Sequence, residues 1–145
     1  MAMPATAPDL IRRYYDNYNS RRFRESADFF AKDAVIEHAP FGSVATGGDG
    51  YVASAERSFH AFPDARIEVL AVTAHGDTIY EIDLMATGTH SGTLDLGSYG
   101  CFEASGVFIR VRHREVIEIR GGLITYASVT LDVNDLLAQL TRSAT

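Results

Sequence analysis

The sequence is poor in cysteine and in long apolar runs. Cys101 is the single cysteine, so neither an internal disulfide nor a cysteine-based zinc site can form, and a reducing compartment fits. No apolar run approaches the ~18 residues that a membrane helix needs. Residues 1–8 carry neither the basic nor the apolar region of a secretory signal. We therefore expect a cytoplasmic protein with no membrane partner.

Positive charge is also scarce. Thirteen Lys and Arg residues face nineteen Asp and Glu residues, which gives a formal net charge of −6 at pH 7. Proteins that bind nucleic acid usually present a basic surface, so no nucleic-acid partner is expected. The Gly-x-Ser-x-Gly elbow, the phosphate loop and the dinucleotide fingerprint are also missing from the sequence. Function must therefore be sought outside these familiar motifs.

The chain of 145 residues, 46% hydrophobic, is long enough for one domain whose core leaves room for a cavity. Residues 1–8 predict a flexible N-terminal tail, and residues 9–142 predict a single domain. Asp9 is a plausible N-cap for a first helix, and two further helices are predicted over about 22–31 and 51–62. A short strand, 35–38, is predicted between them.

From Arg66 onward the hydrophobic period changes to two, which predicts long strands over about 66–71, 79–90, 106–119 and 123–131, with a Gly121–Gly122 hairpin. A short helix follows near Leu136. Helices followed by a meander of antiparallel strands indicate an α+β fold. Because a long twisted sheet curls, the helices are expected to cover its concave face and to leave a pocket there.

Several short segments together resemble one known family, the SnoaL-like polyketide cyclases of the NTF2-like, ketosteroid-isomerase-like group. The resemblance covers about residues 9–140, and its order and spacing are more specific than any single motif. The segments that carry it are DAVIEHAP (33–40), FHAFPD (59–64), GTHSG (88–92), VIEIRGGLI (116–124) and Asp132 followed by LLAQL (136–140).

The resemblance implies a conical barrel, a strongly curved mixed and mostly antiparallel sheet covered by N-terminal helices around a deep pocket. It implies a cyclase that closes rings by intramolecular aldol condensation on a small hydrophobic substrate, with no metal or organic cofactor. It also implies an acid/base aspartate at Asp132 and a homodimer. Glu103–Gly106 departs from the Pro-Pro-Thr-Gly of many members, which leaves the substrate open.

The last predicted strand supports a role for Asp132 by its alternation. If Asp132 continues that strand, the residues that share its face of the strand are unusually polar. Such a face could hold a substrate beside a catalytic base. The alternative is that Asp132 caps the last helix, because aspartate is a favoured N-cap. The residues on that face are Tyr126, Ser128 and Thr130.

His113 and Glu115 interrupt an otherwise apolar face of the strand before it. Because buried charge is costly unless it is paired, two such residues facing inward predict a pocket wall with perturbed pKa values. His113 could then act as a general acid or as an oxyanion donor, with Glu115 or Asp132 setting its tautomer. The alternatives are a structural His–Glu hydrogen bond or a bulge that turns both outward.

Weaker candidates for the pocket wall are two histidines at strand ends and several aromatic residues. Core packing is the alternative for most of them, although buried tyrosine hydroxyls need partners and a ligand carbonyl could be one. No ligand spacing supports a metal site formed by the histidines. These candidates are Tyr14, Tyr18, His38, Phe41, Phe59 and His90.

The predicted function is therefore cofactor-independent ring closure by acid/base catalysis. Two alternatives stay open. The same scaffold also hosts epoxide hydrolysis, dehydration and isomerisation, which use a carboxylate to activate water or to move a proton. The domain could instead bind a ligand without catalysis, as a fully apolar pocket with Asp132 serving only as a helix cap would indicate.

Overall fold

The first helix begins earlier than the sequence predicted. In the computed structural model, which describes residues 6–142, Thr6 is the N-cap and its side chain accepts a hydrogen bond from the Asp9 backbone N–H. Threonine is a favoured cap and proline is tolerated in the first helical turn, so Pro8 lies inside the helix. The predicted cap at Asp9 is therefore wrong. Most of the predicted tail, residues 1–5, lies outside the described residues.

The three α-helices are α1 (Ala7–Asn19), α2 (Gly47–Ala61) and α3 (Val133–Leu140), and 3-10 turns span Phe23–Phe29, Ala39–Phe41 and Gly97–Tyr99. The strands are β1 (Phe30–His38), β2 (Ser43–Thr46), β3 (Arg66–His75), β4 (Ile79–Thr89), β5 (Leu94–Asp95), β6 (Cys101–Phe102), β7 (Phe108–Arg120) and β8 (Leu123–Leu131). The predicted second helix is thus a 3-10 turn, and the first strand begins five residues before its predicted start at Val35.

Six of the strands form one mixed sheet in the order β2-β1-β8-β7-β4-β3. β1 pairs with β8 in parallel, and the other pairings in this sheet are antiparallel. This parallel pairing places β8, the last strand, beside β1. It therefore brings the end of the meander of long strands next to the N-terminal part of the chain. The prediction of an α+β fold with a mixed, mostly antiparallel sheet is confirmed.

Apolar side chains from α1, α2 and the inner face of the sheet form the main core. Its members include Leu10 and Ile11 of α1, Ala55 of α2 and Ile82 and Ile117 of the sheet, all at most 5% exposed. A second apolar cluster lies where α3 packs on the first half of β7. The cavity described below lies between the helices and the inner face of the sheet.

A covering segment, residues 91–105, connects β4 to β7 and carries the small β5–β6 hairpin. The backbone N–H groups of Ser91 and Gly92 both donate to the Ala61 carbonyl at the end of α2, at 2.9 and 3.1 Å. A Cβ atom on Gly92 would lie 2.1 Å from the His60 carbonyl oxygen. Glycine is therefore required for this close approach, which fixes the segment over one end of α2.

The outer face of the sheet carries paired charges. The guanidinium of Arg114 lies 3.0 Å from Glu81 and 3.3 Å from Asp83 on the neighbouring strand. None of the helices in residues 6–142 has both the length and the apolar composition that a membrane crossing requires. The homodimer implied by the family resemblance stays a prediction.

Candidate active site

A cavity of about 240 Å³ lies between the helices and the inner face of the sheet. Aliphatic and aromatic side chains from both layers form most of its wall, and Leu94 and Leu96 of the covering segment contribute to it. Pockets for small molecules typically combine such apolar walls with a few convergent polar groups. The polar groups that matter most here are Tyr14, Tyr15, His38, Tyr51, His113 and Glu115.

Glu115 reaches this cavity because the alternation of β7 points it inward. It lies opposite Ile82 of β4 and Val129 of β8, and it is only 3% exposed. Its carboxylate accepts hydrogen bonds from the hydroxyls of Tyr15 and Tyr14, the latter at 3.4 Å. Both donors belong to α1, so the helix and the sheet together hold the carboxyl group in place.

The environment of Glu115 changes how readily it gives up a proton. Burial raises its pKa from 4.5 to about 7, while the hydrogen bonds from Tyr15 and Tyr14 act in the opposite direction. Desolvation dominates because burial disfavours the charged form of a carboxyl group. A group with this pKa exchanges protons readily near neutral pH, which suits general acid/base chemistry.

The tyrosines around Glu115 stay protonated. Burial, followed by the proximity of Glu115, raises the pKa of Tyr14, Tyr15 and Tyr51 above the ordinary value of 10. Tyr51 belongs to α2, and its ring stacks on Phe30 with the ring centroids 5.0 Å apart. Near neutral pH all three hydroxyls therefore remain hydrogen-bond donors.

Two histidines complete the polar part of the wall. Burial, and then the proximity of His38, lowers the pKa of His113 to about 4. Burial, and then Arg57, also lowers the pKa of His38. Both imidazoles are consequently neutral near pH 7, so each presents one N–H donor and one nitrogen that can accept a proton.

Six of the residues singled out from the sequence line the cavity. The inward alternation predicted for β7 is the one observed, and the proposed outward bulge does not occur at these residues. Glu115 bonds to tyrosines and not to His113, so the structural His–Glu pair is not formed. The six are Tyr14, Tyr18, His38, Phe41, His113 and Glu115.

Asp132 lies elsewhere. It is exposed, and its carboxylate accepts a hydrogen bond from the Asp135 backbone N–H at 3.1 Å, which makes it the N-cap of α3. Leu131 and Leu136 on either side of it line the cavity, but Asp132 does not. The helix cap that the sequence left open as an alternative is therefore the role seen in the structure.

The polar face of β8 also points away from the cavity, which corrects the expected pocket wall. Tyr126 donates a hydrogen bond to Glu37 at 2.8 Å, and Ser128 and Thr130 lie opposite Val116 and Arg114 of β7. The cavity is lined instead by Val129 and Leu131. The apolar faces of β8 and β7 lie side by side on the inner side of the sheet, which the helices cover.

His90 and Phe59 likewise lie outside the cavity wall. His90 is fully buried, and its Nδ1 accepts a hydrogen bond from the Ser105 backbone N–H at 3.2 Å, across the base of the covering segment. Phe59 stacks on Phe23 at a centroid distance of 5.3 Å and is covered by Arg21. In the structure both are packing residues, and neither lines the cavity as expected.

Sequence reasoning missed two residues of the site, Tyr15 and Tyr51. The sequence does contain a signal for Tyr15. Leu10, Ile11, Tyr14 and Tyr15 recur at helical spacing, which predicts a broad buried face on the first helix. Tyr51 was predicted only to lie in the helix over about 51–62. Among residues 6–142, no three His, Cys, Asp or Glu side chains converge in the way that metal ligands would.

Comparison with known proteins now identifies this architecture. The family model described as SnoaL-like polyketide cyclase matches residues 8–140, which confirms the resemblance found in the sequence. No curated protein sequence is significantly similar to the chain.

Solved structures share the fold at low sequence identity. A proposed SnoaL-like polyketide cyclase from Jannaschia sp. CCS1 is 14% identical, with 97% of this chain and 96% of that chain covered and a TM-score of 0.80. A Catenulispora acidiphila protein with a ketosteroid isomerase-like fold, in complex with trimethylamine, is 16% identical, with coverages of 92% and 93% and a TM-score of 0.75. AclR, a proposed hydroxylase from Streptomyces galilaeus, is 18% identical, with coverages of 90% and 92% and a TM-score of 0.74. The NTF2-like, ketosteroid-isomerase-like fold is thereby established.

Proposed function

The chain belongs to the SnoaL-like polyketide cyclase family, and from this premise we propose that it closes a ring in a small carbonyl compound by acid/base catalysis, with Glu115 as the proton-transfer group. The observation that carries the proposal is the buried carboxyl of Glu115, held by two tyrosine hydroxyls in the wall of a mostly apolar cavity. Its pKa of about 7 suits a group that must both take and return a proton.

The proposed reaction is an intramolecular aldol closure, and its protons balance within one turnover. The Glu115 carboxylate removes a proton from a carbon next to a carbonyl, which leaves an enolate. That carbon then forms a bond with a second carbonyl carbon of the same molecule, and the second oxygen becomes an alkoxide. Protonated Glu115 returns its proton to this alkoxide, so the product is an isomer of the substrate.

Glu115 replaces Asp132 in this mechanism because only one of the two carboxyl groups can meet a substrate in the cavity. Asp132 is exposed and engaged as a helix cap, whereas Glu115 lines the cavity and is 3% exposed. A partly desolvated carboxylate is also a stronger base than one in water. The acid/base role predicted for Asp132 is therefore assigned to Glu115.

His113 is proposed to hold the oxygen on which charge develops. It lies two residues before Glu115 on the same face of β7, so the two side chains project into the cavity side by side. A neutral imidazole can donate a hydrogen bond from its N–H to an enolate oxygen. Its low pKa, about 4, keeps it in this neutral form.

The test is the exchange of α-protons in a probe, 2,6-heptanedione in D₂O, followed by mass spectrometry together with formation of its cyclic hydroxyketone isomer. Glu115→Gln should lower the exchange rate by roughly 10²- to 10⁴-fold, the usual contribution of a positioned acid/base group. Glu118→Gln is the matched control, because Glu118 lies on the same strand with its carboxylate bonded to Thr125. Wild-type exchange should increase with pH through about 7, where Glu115 ionises.

Two results would contradict the proposal. One is a wild-type exchange rate in the Glu115→Gln variant, and the other is an exchange rate that falls as the pH rises through 7. A product that has lost one molecule of water would indicate dehydration instead, since an aldol closure yields an isomer of the probe. Binding without any exchange would favour a ligand-binding protein.

A further inference from the structure

One polar group in the cavity wall has no hydrogen-bond partner within the part of the chain that the structure describes. The Tyr51 hydroxyl is buried and makes no hydrogen bond to any other residue in the range 6–142, and the Tyr51 side chain lines the cavity. The hydroxyls of its neighbours Tyr14 and Tyr15 both donate to Glu115. Because a buried hydroxyl without a partner costs free energy, this group calls for an explanation.

The ring of Tyr51 is held from two sides. It stacks on Phe30 at a centroid distance of 5.0 Å and packs against Tyr14 at 5.2 Å. With only two side-chain torsions and two aromatic neighbours, the ring can hold its hydroxyl in one place at little further entropic cost. Such a fixed donor is well suited to orient a ligand.

The size of the cavity limits what that ligand can be. Its volume of about 240 Å³ is below the roughly 300–1,000 Å³ typical of sites for drug-sized molecules. The wall offers aliphatic and aromatic surface around a few polar groups. A compact molecule of one or two rings, or a chain that folds to that size, fits this space.

We propose that Tyr51 anchors an oxygen atom of the substrate, and that the substrate is a compact one- or two-ring compound, or its open-chain precursor, that carries a carbonyl or hydroxyl oxygen. This inference rests on the proposed function only in placing the substrate in this cavity. Because the Tyr51 ring packs against Tyr14, whose hydroxyl donates to Glu115, an oxygen held by Tyr51 lies in the part of the cavity wall that contains the Glu115 carboxyl. Tyr51 is thus a substrate-positioning residue.

The test compares two probes that differ by one oxygen, 2-naphthol and naphthalene, by isothermal titration. Wild-type protein should bind 2-naphthol more tightly than naphthalene. In Tyr51→Phe this preference should fall by about three- to tenfold, the usual effect of one hydrogen bond, while naphthalene affinity is kept. Tyr80→Phe, a buried tyrosine outside the cavity wall, is the control and should keep the wild-type preference.

A second measurement guards against a folding defect. Tyr51→Phe without ligand should unfold at a higher temperature than the wild type, because the unpaired hydroxyl is removed. An unchanged 2-naphthol preference in Tyr51→Phe, or a melting temperature well below that of the wild type, would overturn the inference. Neither readout depends on turnover, so the loss of α-proton exchange in Glu115→Gln tests the proposed function separately.

Discussion

Glu115 and His90 are both buried and titratable, yet they belong to two differently built regions. The polar ring atom Nδ1 of His90 accepts the backbone N–H of Ser105 and lies 2.9 Å from the Ser105 hydroxyl. Within the described residues, the carboxyl of Glu115 accepts hydrogen bonds only from tyrosine hydroxyls, in the wall of a cavity. His90 therefore holds backbone together, whereas Glu115 is available to a ligand.

The comparison teaches that burial alone does not mark a functional residue. Among residues 6–142, each region even contains one buried polar atom without a hydrogen-bond partner, the His90 Nε2 and the Tyr51 hydroxyl. Of these two atoms, only the Tyr51 hydroxyl belongs to a residue that lines the cavity. Position relative to the cavity separates the two roles.

The largest effect on stability is expected from the structural region. His90→Ala should lower the free energy of unfolding by about 2–4 kcal/mol, because it removes packing against Phe62 and leaves the half-buried Ser105 backbone N–H without this acceptor. Urea unfolding measures this. The pH at which α-proton exchange is half maximal should stay near 7. A shift of that midpoint would show that the two regions are coupled.

Glu115 should instead reveal itself in the pH dependence of stability. Its folded pKa of about 7 exceeds the ordinary 4.5, so its contribution to stability is complete below about pH 4.5 and is lost as the pH rises to 7. Two to three pKa units correspond to roughly 3 kcal/mol. Because glutamine does not titrate, the stability of Glu115→Gln relative to the wild type should rise by about that much between pH 4.5 and about pH 7.

His113 provides the opposite control for this experiment. Its folded pKa of about 4 lies below the ordinary 6.5, so its contribution is present above pH 6.5 and is lost as the pH falls to 4. Because glutamine does not titrate, the stability of His113→Gln relative to the wild type should be highest near pH 4 and should fall as the pH rises to 6.5. Urea unfolding at several pH values should move the two variants in opposite directions, and parallel behaviour would contradict both assignments.

The smallest effect on stability is expected at Asp132, an exposed helix cap. Its variants test whether Asp132 supports only the fold or also takes part in proton transfer. Asp132→Ala should lower stability by about 1 kcal/mol, while Asp132→Asn should change it by only a few tenths, because asparagine caps helices equally well. Chemical denaturation distinguishes the two variants. Both should retain α-proton exchange, and its loss in Asp132→Asn would restore Asp132 to the acid/base role.

Much of the fold follows from local patterns in the sequence. The alternation that predicted β8 as 123–131 matches the observed Leu123–Leu131, and the inward face of β7 was identified from the two polar residues within its apolar stripe. The start of β1 at Phe30 was missed. It pairs with Ile124 far along the chain, and no local pattern reports such a partner.

The site was predicted less completely, for a physical reason that Tyr126 and Val129 illustrate. On β8, a polar face was taken as the pocket wall, although the face of the sheet that the helices cover is the apolar one. The register also shifts between Glu118 and Ile119, which places Ile124 and Ala127 on the same inner face despite their odd spacing. Alternation alone does not reveal such a shift.

The hydrogen bond between Tyr15 and Glu115 joins residues 100 positions apart, and this has a consequence for how the protein is made. β1 similarly waits for β8, its parallel partner. Contacts of such long range slow folding, since the chain must close a large loop before they stabilise it. During synthesis the hydrogen bond between Tyr15 and Glu115 can form only after the chain has left the ribosome as far as residue 115.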